Sequence, residues 1–383
     1  MEIIKGAYTS AHIYTTNNKE TALDQYAYSQ IKMICDQESS KNCRIRVMPD
    51  VHPGKVGTIG LTMTVGDQII PNLIGIDIGC GMTLAQIKAK KIEYQKLDAI
   101  IRDSVPSGFS VRTKAHRFAD EFNFNELICN KHIRIDKAIL SLGSLGSGNH
   151  FIEVDRDEEN NTFIVVHSGS RHLGKEVTEY YLSEGQKYLK SKGIDIPYEI
   201  TYLEGELMDN YLHDLQIVQQ FASLNRDIIL DEITKGMKLK ILDSYECIHN
   251  YVNTSPDTFN TFGSPMLRKG AISALKGEKV IIPINMRDGI ILGTGLGNTE
   301  WNCSAPHGAG RIMKREDIKN HFTVSSFKSE MKGIYSSCTS KETLDEAPFA
   351  YRPIDEITEI IKDTVTIEKI IKPVYNFKAG NGR

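Results

Sequence analysis

Apolar and polar positions change period several times along this chain, and the changes mark its elements. Residues 1–16 alternate apolar and polar as an edge strand does. Ala22, Leu23, Tyr26, Ala27, Ile31 and Ile34 then fall at helical spacing, which predicts an amphipathic helix over residues 19–36. Residues 44–48 are strand-like and lead into a loop, 49–55, that carries Asp50 and His52. Residues 58–65 and 68–78 read as a hairpin, and 84–88 as a further strand. Residues 91–124 mix helix and loop, with Arg112, Lys114, His116 and Arg117 as a solvated face.

Further on, glycines at 143, 146 and 148 feed a strand that opens with Asn149 and His150 and carries Glu153. Residues 162–166 form a short β-branched strand ending at His167. From 174 to about 238 the period is helical, which predicts a helical subdomain or insertion. Residues 245–252 are a short strand containing His249, and 279–291 read as two strands around Asn285–Gly289. A glycine-rich turn is expected at 293–297, and helices at about 314–331 and 353–362. No internal repeat or linker interrupts the pattern. A single mixed α/β domain of α+β class over residues 1–383 accounts for it better than two separate units.

One stretch concentrates chemistry. In Ile74–Met82, β-branched residues alternate with glycine, so a buried strand running into a tight turn is expected, with Asp77 and Cys80 three residues apart. Four histidines, His150, His167, His249 and His307, stand at or near the edges of other short apolar strands beside Gly, Asn or Ser. Imidazole, thiolate and carboxylate together suit Mn, Fe, Co or Zn, whereas Mg and Ca prefer shells of oxygen alone. Asn149 and Asn250, next to two of these histidines, are placed to orient them.

Composition narrows the setting. The 383 residues are 40% hydrophobic and 25% charged with a net charge of −3, so any site for a polyanion must be local. The seven cysteines are odd in number and show no CxxC spacing, which points to a reducing compartment, the cytoplasm, rather than a disulfide framework. Neither a signal peptide nor a membrane-spanning run is expected.

Gly75-Ile-Asp77-Ile-Gly-Cys80-Gly, Gly148-Asn149-His150-Phe-Ile-Glu153, His167-Ser-Gly-Ser-Arg171, His249-Asn250, Arg268-Lys269-Gly270-Ala271 and Ser304-Ala-Pro-His307-Gly-Ala-Gly-Arg311 together resemble the RtcB family of RNA ligases. They follow that family's order from about residue 48 onward. The resemblance implies an enzyme that joins RNA 3′-phosphate or 2′,3′-cyclic phosphate ends to 5′-hydroxyl ends with GTP and two Mn²⁺ ions. It implies Asp77, Cys80, His150, His167 and His249 as metal ligands, with Cys80 bridging, and His307 as the residue that carries GMP. It places Asn149, Arg171, Lys269 and Arg315 near phosphates, and Glu153, Tyr351 and Lys378 at the nucleotide. Archease is an implied activating partner, and the central sheets are expected to enclose a buried metal and nucleotide cleft.

Physical argument adds to that assignment. An imidazole attacks a phosphate only when it is neutral and aimed, and Asp50 is the expected acceptor for the other ring N–H of His307. Arg171, Lys269, Arg311 and Arg315 would supply the positive charge that the whole chain lacks. The chain departs from the family at Asn285–Gly289, where a small Gly-Ser-Met-Gly pattern is expected, and at His172, where glycine is expected. Those departures and its modest length suggest a compact, divergent paralogue. A Mn-dependent phosphohydrolase or cyclic phosphodiesterase, and an RNA-binding regulator with a vestigial site, are the alternative readings.

Overall fold

The computed structural model describes residues 1–15 and 23–379. Two largely antiparallel sheets carry the fold, and the six-stranded one contains a parallel pairing, between Ser10–Ile13 and Ile45–His52. The six-stranded sheet runs Glu2–Lys5, Ser10–Ile13, Ile45–His52, Ile59–Thr64, Met266–Lys269, Asn250–Asn253. The seven-stranded sheet runs Ile241–Ile248, Gly81–Ile87, Thr162–Ser168, Phe151–Arg156, Val365–Lys378, Gly289–Gly295, Lys279–Asn285. The class is α+β, as the sequence pattern predicts.

Period-two alternation explains why the larger sheet is buried on both faces. Met82, Leu84, Phe151, Phe163 and Val165 enter one apolar cluster with Ile281, Ile290 and Ile371. The intervening Ala85, Ile87, Ile152, Val154, Ile164 and Val166 pack on the other face against Leu97 and Ile101 of the helix Tyr94–Ser104 and Ile229 and Ile233 of the helix Gly205–Met237. That last helix has 33 residues and buries Tyr211, Leu215, Val218, Ala222, Arg226, Ile229 and Ile233, one every three or four positions. With Arg171–Ser191 it accounts for the helical periodicity of residues 174–238.

Several expected elements differ. The first helix is Gln25–Cys35, started by Asp24, whose Oδ1 accepts Tyr26 N at 2.7 Å; residues 19–22 of the expected helix lie outside the described residues. The strand expected at 44–48 continues to His52, so Asp50 and His52 stand on a strand rather than in a loop. Residues 58–65 do not form a hairpin with 68–78, because Ile59–Thr64 pairs with Ile45–His52 and Met266–Lys269. Residues 74–80 are not a strand either. Pro71 supplies no N–H, and Gly75 and Gly79 take φ of +93° and +70°, so the chain turns through 3₁₀ and bend geometry before the strand Gly81–Ile87, and Ile76 is exposed. Residues 245–252 are two strands, interrupted at His249. Gly293 and Gly295 lie within a strand, where a Cβ on either would collide with Val365–Thr366 or with Ala274–Leu275. No helix among the described residues is long and apolar enough to cross a membrane.

Candidate functional site

Strand register brings the metal-ligand types together. Gly81 pairs with both Ile248 and Ser168, and His167 faces both Met82 and Phe151 across the ladder. Cys80, His150, His167 and His249 therefore stand at one end of four neighbouring strands, with strand spacing of about 4.8 Å setting their separation. Cys80 Sγ lies 3.4 Å from Nε2 of His150 and 3.4 Å from Nε2 of His167, and His167 Nε2 lies 3.4 Å from His249 Nε2. Asp77 Oδ2 completes the group, 3.1 Å from His150 Nε2.

The ring orientations follow from main-chain acceptors. His150 donates Nδ1–H to Leu145 O (2.8 Å), and His167 donates Nδ1–H to Asn149 O (3.2 Å), which leaves the Nε2 lone pairs of both facing Cys80. Burial, with the neighbouring histidines adding to it, holds His167 and His249 well below the usual imidazole range, so both are neutral donors. Burial opposes ionisation of Asp77, but its neighbours His150 and Arg171 outweigh it and hold the carboxyl well below its ordinary range. Burial and the Asp77 charge push the Cys80 thiol up. The donor atoms of Cys80, His150 and His167 lie within 4.8 Å of one another. The Asp77 carboxylate stands beside His150 and the His249 nitrogen beside His167, and this mix of sulfur, nitrogen and oxygen fits a borderline divalent metal.

One proton must therefore leave Cys80 when a metal enters. Metal affinity is expected to rise with pH across the neutral range, by about tenfold per pH unit for one released proton. Titrating the apoprotein with Mn²⁺ or Zn²⁺ in weak buffer checks this, since proton uptake or a flat affinity would contradict it.

The turn bearing Asp77 and Cys80 is held from below by the long helix. Arg226, fully buried, donates through Nη1 to Gly79 O (2.8 Å) and Ser168 O (2.9 Å), and through Nη2 to Glu246 Oε2 (2.7 Å). A Cβ at Gly79 would meet Ala222 of the same helix at 2.9 Å, and one at Gly169 would overlap the Asp77 carboxylate, so both positions are restricted to glycine. Asn250, expected to orient a histidine, instead holds the turn: its Nδ2–H donates to Asp77 O (3.2 Å) and its main-chain carbonyl accepts Gly79 N–H (2.7 Å). Arg226→Met is expected to destabilise the fold by about 3 kcal/mol, because two buried carbonyls lose their donor, and to weaken metal binding as well. Denaturant unfolding with and without metal measures both effects.

Next to the metal cluster, His307 donates Nδ1–H to Asp50 Oδ2 at 2.6 Å, and its main-chain N–H donates to the same oxygen at 3.1 Å. Asp50 is fully buried and 257 residues away in the chain. The His307 and His249 rings are 4.8 Å apart, centroid to centroid, and His307 opens onto a cavity of about 100 Å³. Asn149, Glu153, Arg311, Arg315, Tyr351 and Lys378 share that cavity wall. A second, outer cleft reaches Asp77, Cys80 and His249 and has His52, His307, Arg311 and Arg315 in common with the inner one.

Glu346, which the sequence did not single out, organises the inner wall. It is buried, and it pairs with Lys378, Arg315 and Arg311 (3.4 Å to Nη1) while accepting Tyr351 O–H at 2.6 Å. Burial opposes its charge, but Lys378, Arg315 and Arg311 hold its carboxyl far below the ordinary range. Glu153, also buried, sits beside Asn376 and is pushed up to about 7 by burial. No local motif signals Glu346, because its partners lie up to 35 residues away on separate turns and strands.

Two expected phosphate contacts are placed differently. Lys269 Nζ donates to Asn72 O (2.8 Å) and Val56 O (2.5 Å), away from both cavities, and burial lowers it to about 8. Its ammonium ties two loops together beneath the Asp77 turn. Arg171, with φ of +54°, reaches Gly108 O (3.1 Å) and Ser144 Oγ (3.3 Å) and lies near enough to Asp77 for its charge to act there. At the departure Asn285–Gly289, Arg287 and Asp288 pair with one another and Arg287 also with Glu330, which leaves Met286 facing the inner cavity.

Comparison with known proteins agrees with this geometry. The family model described as tRNA-splicing ligase RtcB matches residues 37–134 and 125–379. An RNA-splicing ligase RtcB of Escherichia coli K12 is 33% identical over 370 residues, covering 87% of this chain and 90% of that protein. A tRNA-splicing ligase RtcB of Nanoarchaeum equitans is 27% identical, covering 85% of each, and one of Archaeoglobus fulgidus is 26% identical, covering 93% and 91%. Since the match runs through most of the chain and its motifs meet in one cleft, this protein belongs to the RtcB family of RNA-splicing ligases.

Proposed function

We propose that this RNA ligase joins RNA 3′-phosphate or 2′,3′-cyclic phosphate ends to 5′-hydroxyl ends, with GTP and Mn²⁺, through a guanylylated histidine, in tRNA splicing or RNA repair. The observation that carries this is the buried Asp50–His307 pair. A carboxylate accepting Nδ1–H leaves Nε2 of His307 as a lone pair, beside the cluster of metal-ligand types and open to both the inner cavity and the outer cleft. Two Mn²⁺ ions held by Asp77, Cys80, His150, His167 and His249 would neutralise charge on the reacting phosphates.

The steps for the chain's own residues follow. His307 Nε2 forms a bond to the α-phosphorus of GTP, the α–β anhydride breaks, and pyrophosphate leaves. An RNA 3′-phosphate oxygen then takes the GMP from His307, and the 5′-hydroxyl displaces GMP from the activated end. Asn149, Glu153, Tyr351 and Lys378 would hold the nucleotide, with Arg171, Arg311 and Arg315 at phosphates. Incoming phosphates compete with Glu346 and Asp345 for Arg311, Arg315 and Lys378. Lys269 would act by supporting the metal turn. We assign the whole of residues 1–383 to one catalytic domain, with residues 174–238 as its helical subdomain. All seven cysteines are buried and unpaired, which suits a cytoplasmic enzyme, and archease remains the partner the family suggests.

Incubation with GTP labelled at the α-phosphate, plus Mn²⁺, tests this. An acid-labile label on His307 supports the ligase. Hydrolysis of 3′ ends without a label supports the phosphohydrolase, and RNA binding with neither supports a regulator. Asp50→Asn is expected to slow labelling by roughly 10²- to 10⁴-fold, since an amide can favour the wrong imidazole tautomer. Labelling at the wild-type rate in that variant removes Asp50 from the mechanism.

A further inference from the structure

His52 is an imidazole in the cleft that neither the metal cluster nor nucleotide transfer uses. Its Nδ1–H donates to Asp50 O at 2.8 Å, so Nε2 is the unprotonated nitrogen. One residue thus sets the tautomers of two histidines, Asp50 Oδ2 that of His307 and Asp50 O that of His52. The two rings lie nearly parallel, 6.5 Å between centroids and 20° between planes. His52 lines both the inner cavity and the outer cleft, at their junction. Burial is the main reason its pKa falls to about 4, with the Arg311 charge adding to that and Asp50 opposing it, so the ring is neutral near pH 7.

The joining step releases the proton of the RNA 5′-hydroxyl, which needs an acceptor in the cleft. The Nε2 atoms of His150, His167 and His249 converge on Cys80 and on one another. His307 Nε2 carries GMP in the two earlier steps and is free again here, so it is the competing acceptor, against which His307→Ala supplied with pre-guanylated RNA is the control. His321, on the outer cleft, is exposed. Building on the ligase reading, we propose that His52 is a catalytic residue of the joining step, whose Nε2 accepts the hydrogen bond of the RNA 5′-hydroxyl and takes its proton. The 5′-oxygen forms a bond to the RNA 3′-phosphorus as the bond from that phosphorus to the GMP phosphate breaks. The proton then passes from His52 to the departing GMP phosphate. Bound phosphates raise the basicity of an imidazole beside them, which favours the transfer in the loaded site.

Two variants separate this role from a structural one. In His52→Asn the side-chain amide can still donate to Asp50 O but has nothing at the Nε2 position. In His52→Gln the amide oxygen reaches that position and accepts a hydrogen bond without taking a proton. Each is assayed for labelled adduct on His307 and for sealing of RNA already carrying a 3′-terminal guanylate to a 5′-hydroxyl strand without GTP. The expected result for His52→Asn is a loss of roughly 10²- to 10⁴-fold confined to sealing. His52→Gln is expected to recover the KM for the 5′-hydroxyl strand but not kcat. Sealing at the wild-type rate in His52→Asn overturns the proposal, and so does an equal loss of adduct formation and sealing, which would mean that His52 only positions His307. A wild-type protein that forms no adduct with GTP and Mn²⁺ overturns the ligase reading itself, and this proposal with it.

Discussion

His307→Ala is expected to form no covalent guanylate at all, while binding metal as the wild type does. Among the described residues, the His307 imidazole combines a free Nε2 on the cavity wall with a buried carboxylate holding its other nitrogen. Alanine offers no nucleophile, and loss of a covalent nucleophile costs on the order of 10⁶-fold in other enzymes. The metal cluster is built without His307: its donor atoms come from Cys80, His150, His167, His249 and Asp77, oriented by Leu145 O and Asn149 O. Labelled-GTP incorporation and metal content measured on the same preparation check both halves. Loss of metal in that variant would mean that His307 is itself a ligand.

Cys80→Ser is expected to weaken metal binding by more than about 100-fold, beyond the roughly 10- to 100-fold that loss of an orienting partner costs. Cys80 is the meeting point of the cluster, within 3.4 Å of two imidazole nitrogens and near the Asp77 carboxylate. A thiolate is a soft, anionic donor, whereas serine keeps its hydroxyl proton and offers a harder, weaker ligand. Adduct formation should fall in parallel and recover in part at high metal concentration. Unchanged stoichiometry and affinity by titration calorimetry would remove Cys80 from the site. The substitution is nearly isosteric, so circular dichroism should show the fold intact.

The chain's local patterns carried the motifs and the α+β class. Sequence patterns marked the strand that opens at His150, the one that reaches His167 and the one around His249, and the glycines at 75, 79 and 81 marked the turn that carries Asp77 and Cys80. Local patterns misread that turn as part of a strand, because apolar β-branched residues look alike whether they pair in a ladder or pack beneath a bend. The resemblance placed Lys269 near a phosphate, and no sequence pattern reveals that two main-chain carbonyls accept its hydrogen bonds.

What the sequence determined by itself was which residues have ligand and nucleophile chemistry, because residue type and local spacing are properties of adjacent positions. Tertiary structure alone decided which of them work together. The Asp50–His307 pair, the Glu346 hub, the Arg226 support and the orientation of His52 all join residues distant in the chain or depend on a main-chain acceptor. Such contacts arise from strand register and helix packing, which bring separate segments into hydrogen-bond range only once the whole core has formed.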